Sequence, residues 1–171
     1  LFKQIGMTAL SVLLFISVIG IQTVTAETTV KQPSRNEVFT TLHQAFQAQL
    51  QLGNDHRTKE EAEKLLQPHF QQPYITKFLD ENITQEAQGY ITYGTDFALY
   101  YIPYFSYDEN TKMKYNQQKN IVYVYEHFPA IEDGPVSYGE HYECIVLKQE
   151  QGVWKVSDYS YNETLPKEIT K

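Results

Sequence analysis

The sequence predicts an α+β domain: three N-terminal helices packed on a curved, mostly antiparallel sheet of four or more strands, in a cone-like arrangement. Three observations predict it. Apolar residues recur at helical spacing from Asn36 to about Leu79. After about residue 89 the chain turns to short runs of Tyr, Ile, Val and Phe, punctuated by Gly, Asp and Asn. No helical stretch lies between those runs, so the crossovers that a parallel sheet requires are missing.

The elements follow in order. Residues 27–35 read as a flexible lead, ending at Pro33 and the capping region Ser34/Asn36. Val38, Phe39, Leu42, Ala45, Phe46, Gln49 and Leu50 then form one stripe of a first helix, which Gly53-Asn54 stops. Thr58 caps a second helix, with Glu61 three positions on to complete a capping box. Ala62, Leu65, Leu66 and Phe70 supply its core face, and Pro68 cuts it short. Pro73 opens a third, over Tyr74–Glu81, with Ile75, Phe78 and Leu79 inward. Four strands are predicted: Phe97–Phe105, Asn120–Phe128, Ser137–Gln149 and Val153–Tyr161. Pro103 marks the first as an edge or a bulge. The tight Gln149–Gly152 link makes the last two a hairpin.

Ahead of this domain, Lys3 precedes a nearly unbroken apolar run from Ile5 to Ile21. Val24 and Ala26 then stand where a signal peptidase reads small side chains, so residues 1–26 read as a secretory signal and Glu27 as the first mature residue. The run is short for a membrane anchor, which needs roughly 20 residues. The domain proper occupies 36–165, and 166–171 reads as a polar tail.

The net charge of −7, with no basic cluster, argues against nucleic acid and against anionic membrane as partners. Cys144 is the single cysteine, so no internal disulfide is available. Within Cys-Ile-Val-Leu it reads as a buried small hydrophobe. His43, His56 and His69 are thirteen apart and form no metal-ligand spacing. No metal or other cofactor is expected, and no nucleophile motif, phosphate loop or CxxC is present. Asn82 and Asn162 open glycosylation-type triplets, a pattern common by chance.

The closing segment Leu147-Lys-Gln-Glu-Gln-Gly-Val-Trp154-Lys-Val156-Ser-Asp158-Tyr159 resembles the last hairpin of the nuclear transport factor 2-like (SnoaL-like, cystatin-like) cone fold. Trp154, Val156 and Asp158 would share one face at period two, with Trp154 anchoring the sheet on the helices. Residues 36–165 also resemble an uncharacterised family of secreted proteins from Gram-positive bacteria, a domain of unknown function. The resemblance implies a fold and no particular activity.

It also directs attention to Asp158. In a cone pocket that carboxylate would be desolvated and able to act as a general base, with His127 and Tyr142 assisting and Glu140 nearby. Fourteen tyrosines, most of them in the sheet, give a second candidate. Tyr123, Tyr125, Tyr138 and Tyr142, with Glu140 and Asp158, would line a ligand-binding surface where rings stack and hydroxyls bond at the wet edge. The leading expectation is a secreted, non-catalytic binding module of the bacterial cell envelope, for a small ligand, a cell-wall component or a protein. The alternative is a lyase or isomerase with Asp158 as base. A third reading is a homodimer packed sheet on sheet.

Overall fold

The computed structural model describes residues 31–94, 98–131 and 137–170. Residues 1–26, expected to be a signal, lie outside them with Glu27. Helix α1 (Arg35–Gln51) starts where Ser34 accepts a hydrogen bond from the Glu37 amide while Glu37 accepts one from the Ser34 amide, a complete capping box. Thr58 and Glu61 do the same for α2 (Lys59–Leu66). Helix α3 (Gln72–Asn82) has Pro73 in its first turn, where a missing N–H costs nothing. The α1 stripe is as expected at Val38, Leu42, Ala45 and Gln49, but Leu50 is 42% exposed and Ala48 is buried in its place.

A short hairpin follows, β1 (Ile83–Glu86) with β2 (Gly89–Thr92). The sequence reading missed it, because Thr, Gln and Glu in β1 carry no apolar alternation. The hairpin is fastened to the helices by reciprocal bonds between Arg57 and Tyr90, 2.9 and 2.7 Å. Gly89, at φ 134°, is required there, since a Cβ would sit 2.7 Å from the Arg57 carbonyl oxygen.

The main sheet is a four-stranded antiparallel meander: β3 (Lys112–Asn116), β4 (Ile121–Phe128), β5 (His141–Glu150) and β6 (Val153–Asn162). The expected order, helices and then an antiparallel sheet, is the order found. The expected first strand is not. Phe97 lies outside the described residues, and 98–105 contain no strand. Pro103 has no N–H to donate and Tyr100 sits at φ 65°, so this run cannot hold a ladder. Its backbone is instead claimed by Gln49. That buried carboxamide donates to the Tyr100 carbonyl (2.7 Å) and accepts from the Ile102 amide (2.9 Å). The fourth strand is β3, which the charges of Lys-Met-Lys-Tyr-Asn concealed. The expected strand from Ser137 begins only at His141, since Tyr138 makes just a bridge to Ile131. The β5–β6 turn has Gln151 at φ 51° and Gly152 at φ 83°, the left-handed pair of a tight hairpin.

Val122, Val124, Ile145, Leu147 and Val156 form the inner face of the sheet, packed in one core with Leu42, Leu66, Phe70, Tyr74, Phe78 and Ile102. Trp154 is partly buried at the edge of this core, edge-on to Tyr115 at 6.2 Å.

Candidate functional site

Strand pairing assigns the outer face of the sheet. Ile121, Tyr123, Tyr125 and His127 of β4 lie opposite Lys148, Val146, Cys144 and Tyr142 of β5. Lys112 and Lys114 of β3 stand beside Tyr125 and Tyr123. Of the expected ligand-binding residues, Tyr123, Tyr125 and Tyr142 therefore share one face. At its far end the His127 Nε2 is 2.7 Å from Glu140 Oε1, and the His127 ring lies 4.9 Å from that of Tyr142. Tyr138 turns elsewhere, packing edge-on against His141 at 5.3 Å.

Asp158 joins the outer face for a reason the sequence hid. Val156 pairs with Leu147 but Asp158 pairs with Val146, so Ser157 is an extra, bulged residue. Its hydroxyl donates to the Val146 carbonyl (3.1 Å). The bulge breaks the period-two alternation, and Asp158 does not share the face of Val156 as expected. It is also not desolvated. Its side chain is 55% exposed, and the Lys77 ammonium lies 3.7 Å away. His127 and Tyr142 come together with Glu140, not with Asp158. Tyr142 and Val146, the partner of Asp158, are four residues apart on β5, about 13 Å along a strand.

A groove of about 260 Å3 lies on this face, between Ile121, Tyr123, Cys144, Val146, Asp158 and the segment beyond β6. That segment is not the free polar tail expected. Leu165 and Ile169 pack on Tyr123 and Cys144, and Ile169 is buried. A single turn, α4 (Lys167–Thr170), completes it. The Lys114 ammonium donates to the Ile169 carbonyl at 2.7 Å. The sequence signal for this strap was an apolar pair four apart, i and i+4, within polar surroundings. Its hold is modest. Full burial of one aliphatic side chain gives about 1.5–3 kcal/mol, while fixing each backbone residue costs roughly 1–2 kcal/mol. Beneath it, burial, with Asp158 and Glu168 adding to it, pushes the Cys144 thiol up to about 12.

The inner face carries a polar cluster that sequence reasoning missed. Glu126 is buried and accepts from the Thr111 hydroxyl (2.7 Å) and the Ser106 amide (2.9 Å), which fixes the loop ahead of β3. Glu143 pairs with it across the strands. Burial raises the Glu143 carboxyl above its usual range, opposed by His141 and by the Tyr159 hydroxyl, which donates to it at 3.5 Å. His141 is stacked between Phe128 (5.2 Å) and Tyr161 (4.3 Å). Its Nδ1 donates to the Gly139 carbonyl (2.8 Å), leaving Nε2 towards Glu143 at 3.7 Å. The signal was available in His141-x-Glu143, since residues two apart on a strand share a face. Every one of these groups has a partner within the fold, so the cluster reads as architecture. Among the described residues, no group of His, Cys, Asp or Glu has the arrangement of a metal site.

A second groove, about 440 Å3, runs between α1 and α2, lined mainly by His43, Gln44, Gln47, Gln51, Leu65 and His69. Among the described residues, no helix is long and apolar enough to cross a membrane.

The family model described as "Protein of unknown function (DUF3993)" matches residues 34–128, from the cap of α1 to the end of β4. No curated protein matches the chain, and no solved structure does.

Proposed function

This chain belongs to the DUF3993 family of proteins of unknown function, and we propose that it is an exported, non-catalytic binding module of the bacterial cell envelope. The outer face of the main sheet is its working surface. One observation carries the proposal: Ile121, Tyr123, Tyr125, Tyr142 and Val146 stand side by side on the outer face, where the segment packed over Tyr123 carries only the single turn α4 among the described residues. Aromatic and aliphatic groups gathered there, with hydroxyls at the rim, suit recognition of a partner. Export is the reading of residues 1–26, with cleavage after Ala26. Mass spectrometry of the mature chain would then find Glu27 at its start. The helices-then-sheet order is compatible with the cone fold that the closing hairpin resembles.

The test is co-sedimentation with isolated envelope material. Tyr125→Ala with Tyr142→Ala should cut retention tenfold or more while circular dichroism stays unchanged. Retention at the wild-type level would overturn the reading. A lyase or isomerase with Asp158 as general base is the second reading, supported by the groove beside that residue. Its exposure and its pairing with Lys77 support it less than binding.

A further inference from the structure

Resting on the reading of the outer face as a binding surface, we propose that residues 163–170 are a built-in stand-in for the partner. The partner is then an acidic peptide segment that displaces them, presenting two aliphatic side chains four residues apart. The strap itself shows what the face accepts. Leu165 and Ile169 supply the apolar pair over Tyr123 and Cys144. Lys114 takes a backbone carbonyl from the same segment. The strap adds no strand to the sheet; besides the Lys114 bond, the hydrogen bonds that shape it are local, Ile169 N–H to Pro166 and the Thr170 hydroxyl to Lys167. It also leaves the groove of about 260 Å3 open between itself and the sheet, so a better-fitting segment has room to gain contact. Few contacts and local bonding mark a segment that opens without global unfolding.

Charge selects the partner's sign. The protein is acidic overall, yet Lys112, Lys114 and Lys148 all stand on this face by strand register. Opposite them the face offers Asp158, already beside Lys77, Glu140, already beside His127, and Glu150, already bonded to Lys155. When the strap leaves, Glu163 and Glu168 leave with Lys167, so one net negative charge departs and leaves Lys112, Lys114 and Lys148 without a carboxylate partner in a strand.

The experiment uses the full chain and Cys144 as a reporter, because its thiol lies under the strap. In the Leu165→Asp/Ile169→Asp variant, Ellman's reagent should modify Cys144 at least tenfold faster than in wild type. Adding the peptide Glu-Thr-Leu-Pro-Lys-Glu-Ile-Thr, residues 163–170, should restore protection saturably. The same peptide with both aliphatic residues changed to Ala should not. Envelope retention should rise in this variant, since the face is unmasked. Unchanged thiol reactivity in a folded variant, or dimerisation through the opened face with no peptide binding, overturns the proposal. If the variant fails to fold, wild-type Cys144 decides. Modification that is independent of low urea supports local opening, and modification that tracks global unfolding overturns it. Loss of retention in the Tyr125/Tyr142 variant, measured separately, keeps a failed strap apart from a failed binding face.

Discussion

Replacing Gln49 with Ala should be among the most damaging single changes in the helices. The side chain is fully buried, and its carboxamide answers two backbone groups of the 98–105 run. Without it the Ile102 N–H has no partner, and an unpaired buried donor costs about 1–3 kcal/mol. The Tyr100 carbonyl keeps its second donor, the Tyr74 hydroxyl at 2.6 Å, so it adds little. The vacated volume resembles that of a Met or Leu truncation, about 2–5 kcal/mol. Some return is expected as Tyr100, held at φ 65°, relaxes. The net expectation is a loss of about 3–5 kcal/mol, a large part of the stability of an ordinary domain. Urea unfolding followed by circular dichroism reads it as a lower midpoint with an unchanged slope. Gln49→Met keeps the volume and removes only the polar bonds, so it should lose about 1–3 kcal/mol. A loss below about 1 kcal/mol in the Ala variant would refute the clamp, because neither cavity nor unpaired donor would then exist.

Three further changes separate architecture from function. Glu143→Gln should raise the melting temperature at pH 7. The native carboxyl is raised by burial, so its stabilising protonated form is fully present only below the unfolded value and is lost as pH rises through the folded one. The gain should therefore shrink as the pH approaches 4, and a gain independent of pH would contradict this account. Trp154→Ala should cost about 2–3 kcal/mol, less than a fully buried aromatic, because the ring is only partly covered; wild-type stability would remove its anchoring role. Asp158→Asn should change stability by less than about 0.5 kcal/mol, as for other exposed ion pairs. A fall of several degrees in melting temperature would make Asp158 structural.

What could be read in the sequence depended on whether one local rule decided the outcome. Thr58 with Glu61, and Pro73, mark helix starts by chemistry confined to one turn, and both were legible, whereas at Ser34 the sequence showed a capping region without its partner Glu37. The Phe97–Phe105 run was misread because its apolar residues satisfy a strand pattern, while its backbone partner, Gln49, lies some fifty residues earlier. β3 was missed for the opposite reason: its pairing with β4, not its own composition, makes it a strand. The bulge at Ser157 leaves no mark in Trp-Lys-Val-Ser-Asp, yet it decides which face Asp158 occupies. The tyrosine face was legible because Tyr123, Tyr125 and Tyr142 lie in regular stretches of β4 and β5, where alternation holds. The strap over it was not, because an apolar pair in a polar tail gains meaning only from the surface it meets.

The most direct test of the binding face uses the tyrosines as their own reporters. Nitration of the chain with tetranitromethane, with and without bound envelope material, compares outer-face tyrosines with those elsewhere, Tyr104 at 82% exposure and Tyr93 at 53%. The account predicts that Tyr125 and Tyr142 lose reactivity on binding while Tyr104 and Tyr93 keep theirs. Protection of Tyr104 or Tyr93, with Tyr125 and Tyr142 unchanged, would contradict it and move the working surface off the sheet.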